Sequence, residues 1–193
     1  MSREQGAGSV DKLPPHSNEA EAGILGCVLL DADSTLNTLH ECGAKPEWFY
    51  DLRHRAMFVT LMAMHQAGEG LDLITLVNRL RDGGLIDKVG GIEYLSRLPD
   101  QVPGAAHLAS YVEIVREKYH LRRVLATCYS AARRVHDSTD EVNGLLDQFS
   151  AEFDRLREER EAGAGAPEQG IKGLVSATLD DLEKYHRGHA QLR

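Results

Sequence analysis

The sequence predicts an all-α protein: a small helical bundle, a long antiparallel helical hairpin, a flexible linker and one isolated amphipathic helix. Leu, Ala, Glu and Arg fill the long stretches, and these residue types favour helices. Only 6 prolines occur in 193 residues. Residues 105–136 contain neither Pro nor Gly, which leaves room for about eight or nine uninterrupted helical turns.

The first helix is predicted to start just after two prolines. Residues 1–12 lack the apolar core of a signal peptide and are predicted to be disordered. In the stretch LPPHSNEAEAGILG, His16, Glu19 and Glu21 raise the question of a small polar site. Ser17 is well placed as an N-cap, and acidic side chains in the first turn suit the helix dipole. We therefore interpret these residues as a helix start.

Residues 13–103 are predicted to form the bundle from five or six short helices, separated by glycines and prolines. Asp72 is interpreted as an N-cap, and Ile74, Val77 and Leu80 as the buried stripe that follows it. The predicted helices after the first cover about residues 34–41, 46–67, 72–82 and 89–98.

Residues 104–161 are predicted to form the hairpin. Apolar residues recur at alternating three- and four-residue steps in both of its helices, and a short polar turn joins them. Two such helices pack against each other as an antiparallel pair in the manner of a coiled coil. The predicted seam consists of Tyr111, Ile114, Leu121, Leu125, Cys128, Ala132 and Val135 in the first helix and Val142, Leu146, Phe149, Phe153 and Leu156 in the second.

A flexible linker is predicted at residues 162–172, because the sequence there is small, Gly-rich and interrupted by proline. Residues 173–193 follow with an amphipathic helical pattern. A short helix is marginal alone in water, so its apolar face needs a partner. The predicted docking face comprises Leu174, Thr178, Leu182 and Tyr185.

Charge and cysteine content narrow the class of protein. The formal net charge of −8 argues against a self-sufficient DNA-binding protein, which would normally be basic. Cys27, Cys42 and Cys128 are widely spaced and form no C-x-x-C pair, which disfavours a disulfide framework or zinc site and suits a reducing cytoplasm. No apolar run approaches membrane-spanning length, so no membrane association is expected.

No catalytic set, cofactor site or metal site is predicted in this chain. The nearest approach to a phosphate loop, between Gly165 and Gly170, lacks the required lysine placement and hydroxyl. His186 and His189 are interpreted as surface histidines, since no second pair of metal ligands lies nearby. His54 is interpreted as a helix-surface or core-edge histidine, because the sequence singles out no carboxylate partner for it.

The two hairpin helices differ in charge, with a basic first helix and eight acids against three arginines in residues 140–161. Two interpretations stay open. The charges could be solvated faces paired across the hairpin, or they could form a surface that docks a protein partner in preference to DNA. The basic residues are Arg116, Lys118, Arg122, Arg123, Arg133 and Arg134.

Five stretches carry a family resemblance. In order they are PPHSNEAEAGILG, WFYDLRHRAMF, LDLITLVNRL, LIDKVGGIEYLSRL and YVEIVREKYHLRRVL. They resemble, in order and spacing, the N-terminal region of bacterial DnaB-type replicative DNA helicases. The resemblance covers about residues 13–135. Beyond it, the second hairpin helix, the linker and the last helix agree in position and character rather than in residues.

The resemblance implies a non-catalytic N-terminal collar domain. In this family the domain pairs with its own copies on one side of a hexameric ring, and the hairpin receives the C-terminal domain of primase. The linker helix packs on the ATPase domain of a neighbouring subunit. That ATPase domain, with its ATP and Mg²⁺, is expected beyond residue 193 and would drive 5′–3′ unwinding. The implied partners are copies of the chain, from dimer to hexamer, primase and a helicase loader, with DNA reached only through the parent ring.

The resemblance also implies roles for particular residues. Seam residues left unpaired within one chain are candidates for self-association, and these are Ile114, Leu121, Leu125, Cys128, Val142, Phe149 and Phe153. Basic hairpin residues are candidates for contact with primase, and these are Arg122, Arg123 and Arg133.

Two alternative functions stay open. One is a stand-alone regulator that binds a full-length helicase and modulates its ring. The other is a small module that binds single-stranded DNA through the basic helix face. A strongly salt-dependent affinity for single-stranded DNA would mark the second, and the net acidity of the chain argues against it.

Overall fold

A computed structural model describes residues 12–137 and 141–164. Over these ranges the protein is all-α, as predicted, with seven α-helices, three short 3₁₀-helices and no strand. The α-helices are α1 (Asn18–Leu30), α2 (Ala32–Glu41), α3 (Leu52–Gln66), α4 (Leu73–Asp82), α5 (Gly91–Arg97), α6 (Leu108–Asp137) and α7 (Val142–Ala164). The 3₁₀-helices are Pro46–Trp48, Pro99–Gln101 and Ala105–His107.

Helix α1 lies at the centre of the bundle, in contact with α2, α3 and α6. The Ser17 hydroxyl oxygen accepts a hydrogen bond from the Ala20 amide at 3.2 Å, which confirms the predicted helix start. All residues from 20 to 28 are buried, so the helix has no polar face. A Cβ at Gly26 would lie only 2.5 Å from the Leu98 carbonyl oxygen, so glycine allows this close approach.

Helix α4 confirms one predicted feature and corrects another. Asp72 caps the helix, since its carboxylate accepts from the backbone amide three residues on at 2.8 Å. Leu76, Val77 and Leu80 are buried, but Ile74 is 72% exposed, so its place in the predicted stripe is wrong. Steps of three and four from Leu80 lead to Val77 and Leu76, and Ile74 falls beside this face.

Helix α6 belongs to both parts of the molecule. In its first half, Leu108, Val112, Val115 and Tyr119 are buried in the same cluster as the bundle core. The Tyr119 ring lies 6.5 Å from the Trp48 ring, measured between centroids. Between residues 120 and 137 no side chain of α6 is fully buried, so this half of the helix leaves the bundle and projects into the hairpin.

Helix α7 runs antiparallel to α6, since Arg123 pairs with Glu159 while Arg134, further along α6, pairs with the earlier Glu152. The two helices therefore form the hairpin that the sequence predicted. Helix α7 continues to Ala164, so residues 162–164, assigned to the linker from the sequence, are helical. The rest of the predicted linker and residues 173–193 lie outside the described residues.

The predicted hairpin seam is wrong for most of α6 and for part of α7. In α6 the predicted seam residues Ile114, Leu121, Cys128, Ala132 and Val135 are exposed, and in α7 Phe153 is exposed as well. Phe149 is half-buried and Leu156 is buried, as expected. Val142 and Leu146, however, are 71% and 58% exposed, and Leu145 is buried in their place. Leu145, Phe149 and Leu156 lie on one face at steps of four and seven, whereas Val142 and Leu146 belong to the neighbouring face. The run of adjacent apolar residues at the start of α7 made both registers compatible with the sequence.

Candidate functional site

Helix α6 carries a stripe of exposed apolar side chains. Ile114, Leu121, Cys128 and Val135 are all exposed and follow one another at steps of seven residues along α6. Steps of seven keep side chains on nearly the same face of a helix, which is the spacing of a coiled-coil contact. We call these four residues the hairpin stripe. A row of exposed apolar side chains of this length is the property expected of a surface that meets another helix.

Most of the residues predicted to mediate self-association lie on the surface. Ile114, Leu121, Cys128, Val142 and Phe153 are exposed, while Leu125 and Phe149 are half-buried. Their exposure agrees with the expectation that these positions are unpaired within one chain. Their contact with another copy of the chain stays a prediction.

Two grooves lie on the hairpin. The basal groove, of about 450 Å³, has the apolar side chains of Leu121, Val124, Phe153 and Leu156 among its lining. The tip groove, of about 750 Å³, lies nearer the turn, and its lining includes Tyr129, Arg133, Arg134 and Leu145. Both are open surface depressions with apolar and cationic side chains together, which suits a protein segment better than a small molecule.

Arg122 joins the hairpin to the bundle. Its guanidinium donates to the backbone carbonyls of Pro15 at 2.8 Å, Glu47 at 3.1 Å and Trp48 at 2.6 Å. It also lies 5.7 Å from the centroid of the Tyr50 ring. Burial lowers the pKa of Arg122 from its usual value, although the group stays charged at neutral pH. This side chain clamps the two parts of the molecule together, and its predicted contact with primase stays a prediction.

The other two predicted docking residues, Arg123 and Arg133, differ in their partners and in their exposure. Arg123 donates to the Tyr119 hydroxyl oxygen at 3.0 Å, which raises the pKa of Arg123, and it pairs with Glu159 at 3.2 Å. Arg133 is exposed and lines the tip groove. Part of the hairpin charge is thus paired between its helices, as the first interpretation held, and Arg133 is the more accessible of the two cations.

A buried polar network in the bundle was missed by the sequence interpretation. The Glu21 carboxylate accepts hydrogen bonds from the backbone amides of Tyr50 at 2.7 Å and Asp51 at 3.2 Å. Its second oxygen lies 2.9 Å from Nδ1 of His54, and Nε2 of His54 lies 2.6 Å from the Tyr94 hydroxyl oxygen. Glu21 and His54 are 1% and 0% exposed.

His54 is therefore not the helix-surface or core-edge residue that the sequence suggested, and Glu21 is the carboxylate partner that was not found. A row of carboxylate, imidazole and phenol resembles a proton relay, but no substrate reaches an imidazole without exposed surface. The network instead fixes the loop before α3 onto α1. The available signal was Glu21 itself, an acid within the apolar and small residues of α1, where a charge needs a buried partner.

The described residues were also compared with the predictions about metal binding and membrane association. No group of three or more His, Cys, Asp or Glu side chains there is arranged to hold a metal ion. None of the helices in residues 12–137 and 141–164 is long and apolar enough to cross a membrane. The predicted docking face of the last helix, together with His186 and His189, lies outside the described residues.

These features, a helical bundle with a projecting two-helix hairpin, coincide with a known family. Residues 13–117 match the model of the DnaB-like helicase N terminal domain. The chain belongs to this family. The match begins at the residue before the two prolines and covers the bundle and the first part of α6.

Several DnaB relatives are similar over nearly the whole chain. The replicative DNA helicase DnaB of Geobacillus stearothermophilus is 32% identical over 182 residues, which is 94% of this chain and 39% of that protein. The replicative DNA helicase DnaC of Bacillus subtilis is also 32% identical, over 91% of this chain and 38% of its own length. The chain thus spans about two-fifths of these curated relatives.

Solved structures support the same assignment. The crystal structure of the N-terminal domain of DnaB helicase from Mycobacterium tuberculosis matches with a TM-score of 0.67 at 29% identity, over 75% of this chain and 99% of that one. A DnaB-like replicative helicase, solved with a study of its interactions with primase, shares the fold with a TM-score of 0.59 at 17% identity. This match covers 84% of our chain and 35% of the helicase.

Proposed function

We propose that this DnaB N-terminal domain is the assembly and docking part of a replicative DNA helicase. It pairs with copies of itself through the hairpin to build a collar, and it receives the C-terminal domain of primase. A helicase loader is a further candidate partner. ATP and Mg²⁺ are bound by an ATPase domain of the parent helicase, which unwinds DNA in the 5′–3′ direction in the cytoplasm. The N-terminal domain itself contributes no ATP hydrolysis.

The observation that carries the assembly role is the hairpin stripe. Ile114 and Leu121 are 39% and 43% exposed and sit one heptad apart, the spacing at which a second helix interdigitates its side chains. Burying such side chains releases about 25 cal/mol per Å² of apolar surface. These side chains stay exposed along α6 from Ile114 to Val135, so two copies can cover each other.

Sedimentation equilibrium of the chain tests self-association. We expect the unmodified chain to associate at micromolar concentration and the double variant Ile114→Asp, Leu121→Asp to remain monomeric, because each new carboxylate would be desolvated in the contact. The matched control is Ile74→Asp, an equally apolar and well-exposed position on α4 of the bundle, which should associate like the unmodified chain. An unmodified chain that stays monomeric at high micromolar concentration would contradict the collar role.

Support for primase docking comes from the surface of the hairpin. The tip groove combines Tyr129 and Leu145 with the cations Arg133 and Arg134, a mixture of anchoring and steering groups typical of protein interfaces. A DnaB-like helicase of the same fold has been studied for its interactions with primase.

Titration calorimetry with the C-terminal domain of primase from the same organism tests docking. We expect saturable binding that Arg133→Glu weakens by about tenfold, a loss of about 1.4 kcal/mol. Arg81→Glu, an exposed cation of α4, is the control and should bind normally. Absence of binding by a sample shown to be oligomeric would contradict primase docking and leave assembly as the function.

A further inference from the structure

A short segment before α1 contacts the base of the hairpin. We call residues 13–16, with the sequence LPPH, the strap. The His16 ring stacks on the Tyr50 ring, with 4.4 Å between centroids and 23° between planes. The Pro15 carbonyl oxygen accepts a hydrogen bond at 2.8 Å from the guanidinium of Arg122, at the point where α6 leaves the bundle. The strap therefore touches both the loop before α3 and the hairpin.

The two prolines limit how the strap can be held. Pro14 and Pro15 have no backbone N–H, so at these positions only the carbonyl oxygens can form backbone hydrogen bonds. The Pro14 carbonyl accepts from Nδ1 of His16 at 2.6 Å, because a carbonyl oxygen cannot donate, and this bond orients the imidazole ring that stacks on Tyr50. The ring stack and the Arg122 hydrogen bond thus join the strap to the rest of the molecule.

The loop that contacts the strap is anchored in the bundle. The Arg55 guanidinium of α3 donates to the carbonyl oxygens of Pro46 at 3.1 Å and Phe49 at 3.0 Å. Glu21 accepts from the backbone amides that follow in the loop, and Arg122 donates to the two carbonyls in between. The bundle therefore fixes this loop through α1 and α3, and Arg122 attaches the hairpin to it.

The strap is less deeply buried than the loop. Trp48 and Phe49 are 4% and 1% exposed, whereas Leu13 is 74% exposed and the rest of the strap is half-buried. Surface segments with few buried contacts open locally at a lower free energy than core elements. Among the acceptors of Arg122, the Pro15 carbonyl is therefore the one that we expect to separate while the bundle stays folded.

We propose that the strap fixes the orientation of the hairpin relative to the bundle, and that its withdrawal from Tyr50 and Arg122 lets the hairpin tilt. The inference goes beyond the proposed function and does not rest on it, because it concerns contacts within one chain. The tip groove and the outer half of the hairpin stripe lie beyond Arg122 along α6, so a ligand that lifts the strap moves both surfaces at once.

The distance between the bundle and the end of the hairpin measures the tilt. Nitroxide labels are attached through Ile74→Cys on α4 and His136→Cys in the last turn of α6, both exposed positions. Cys42→Ser and Cys128→Ser prevent labelling elsewhere, and Cys27 is buried. Pulsed electron paramagnetic resonance then gives the distribution of distances between the labels, and an excess of unlabelled chain suppresses distances between copies.

Variants of the strap test the proposal. Removing residues 2–16, which keeps the Ser17 cap, should widen the distance distribution about twofold, because the hairpin then samples more orientations. Removing residues 2–12 is the matched control, which leaves the strap in place and should leave the width unchanged. His16→Ala removes the ring stack from a full-length chain and should widen the distribution to a smaller extent. An unchanged width in both strap variants would overturn the proposal.

Variants of Arg122 and of the core separate this effect from a general loss of stability. Arg122→Ala should widen the distribution at least as much as removal of the strap does, and removal of the strap from that variant should widen it no further. Gly26→Ala, which disturbs the packing of α1 against the Leu98 carbonyl oxygen, should leave the width unchanged. Equal widening by Gly26→Ala, or further widening by strap removal in the Arg122→Ala chain, would overturn the proposal, because the strap would then not act through Arg122.

Discussion

The bundle and the hairpin are both built from α-helices, but they bury their side chains to different degrees. In the bundle, α1 is covered on all sides, and residues 20–28 are buried without exception. In the hairpin, no residue of α6 beyond Tyr119 is fully buried, and apolar side chains face outward at heptad steps. The bundle thus encloses a continuous core, whereas the part of α6 beyond Tyr119 leaves most of its apolar side chains at least partly exposed. We therefore expect the bundle to contribute most of the stability of the chain, and the hairpin is the part for which we propose interaction.

The bundle and the hairpin also differ in whether their charged side chains are buried or exposed. The bundle buries Glu21 and His54 together, with backbone amides completing the partners of the carboxylate. The hairpin holds Arg123 and Glu159 as a pair in which both side chains are more than two-fifths exposed. Exposed pairs of this kind contribute about 0–1 kcal/mol, while breaking a buried pair costs several times more. Substitutions in the two parts should therefore differ in effect, and the three comparisons below test this.

The largest effect is expected at Glu21. Glu21→Ala removes a buried carboxylate, leaves His54 without its carboxylate partner and leaves the backbone amides of Tyr50 and Asp51 without their acceptor. The free energy of unfolding should fall by about 3–5 kcal/mol. Urea denaturation measures this, with Glu19→Ala as the matched control, since Glu19 is exposed in the same helical turn. A loss below 1 kcal/mol, within the range of ordinary surface changes, would show that the network is not a stabilising element.

An intermediate effect is expected at the junction between the two parts. Arg122→Ala removes a guanidinium that donates to three backbone carbonyls, and the free energy of unfolding should fall by about 2 kcal/mol. Arg133→Ala, on the exposed part of the same helix, should change it by less than about 0.5 kcal/mol. Equal effects of the two substitutions in thermal unfolding would show that the clamp contributes nothing.

Effects of opposite sign are expected at two helical glycines, and the effect at Gly144 is the smallest of those compared. At Gly26 an added methyl group meets the Leu98 carbonyl oxygen, so Gly26→Ala should destabilise the chain by about 1–3 kcal/mol. At Gly144 in α7 nothing lies within 4 Å of an added Cβ, so Gly144→Ala should stabilise the chain by about 0.5 kcal/mol through helix propensity. Stabilisation by both substitutions would mean that the bundle is packed no more tightly than the hairpin.

The fold was predictable because its signals are local. Helix caps at Ser17 and Asp72 and the three-and-four spacing of apolar residues depend on neighbours within a few positions, so they can be seen in the sequence. The partnership of Glu21 with His54 joins residues 33 positions apart, and no local pattern announces it. The acceptors of Arg122 are backbone carbonyls, which any residue supplies.

The candidate site was predictable to a lesser degree, because adjacent apolar residues leave the helix register undecided. Val142 and Leu146 were assigned to the hairpin seam, yet Leu145 occupies it. A helical seam in α7 that ends in Phe149 and Leu156 can begin at Leu145 or at Leu146, and only the packing against α6 selects one. Exposure of the hairpin stripe likewise depends on where α6 leaves the bundle, which a linear pattern does not specify.

The length of helix α6 affects how a rotation in the bundle reaches the end of the hairpin. The helix runs from Leu108 to Asp137 without Pro or Gly, so one continuous helix is embedded in the bundle at its start and packs against α7 along its second half. The part of α6 that projects from the bundle, from Tyr119 to Asp137, is about 27 Å long. A rotation of about 5° at the base, where Arg122 joins α6 to the bundle, would displace the end by about 2 Å at that length. A partner bound at the end of α6 would therefore be displaced by small rotations at the base of the helix, and a force applied at that end would act on the contacts of Arg122.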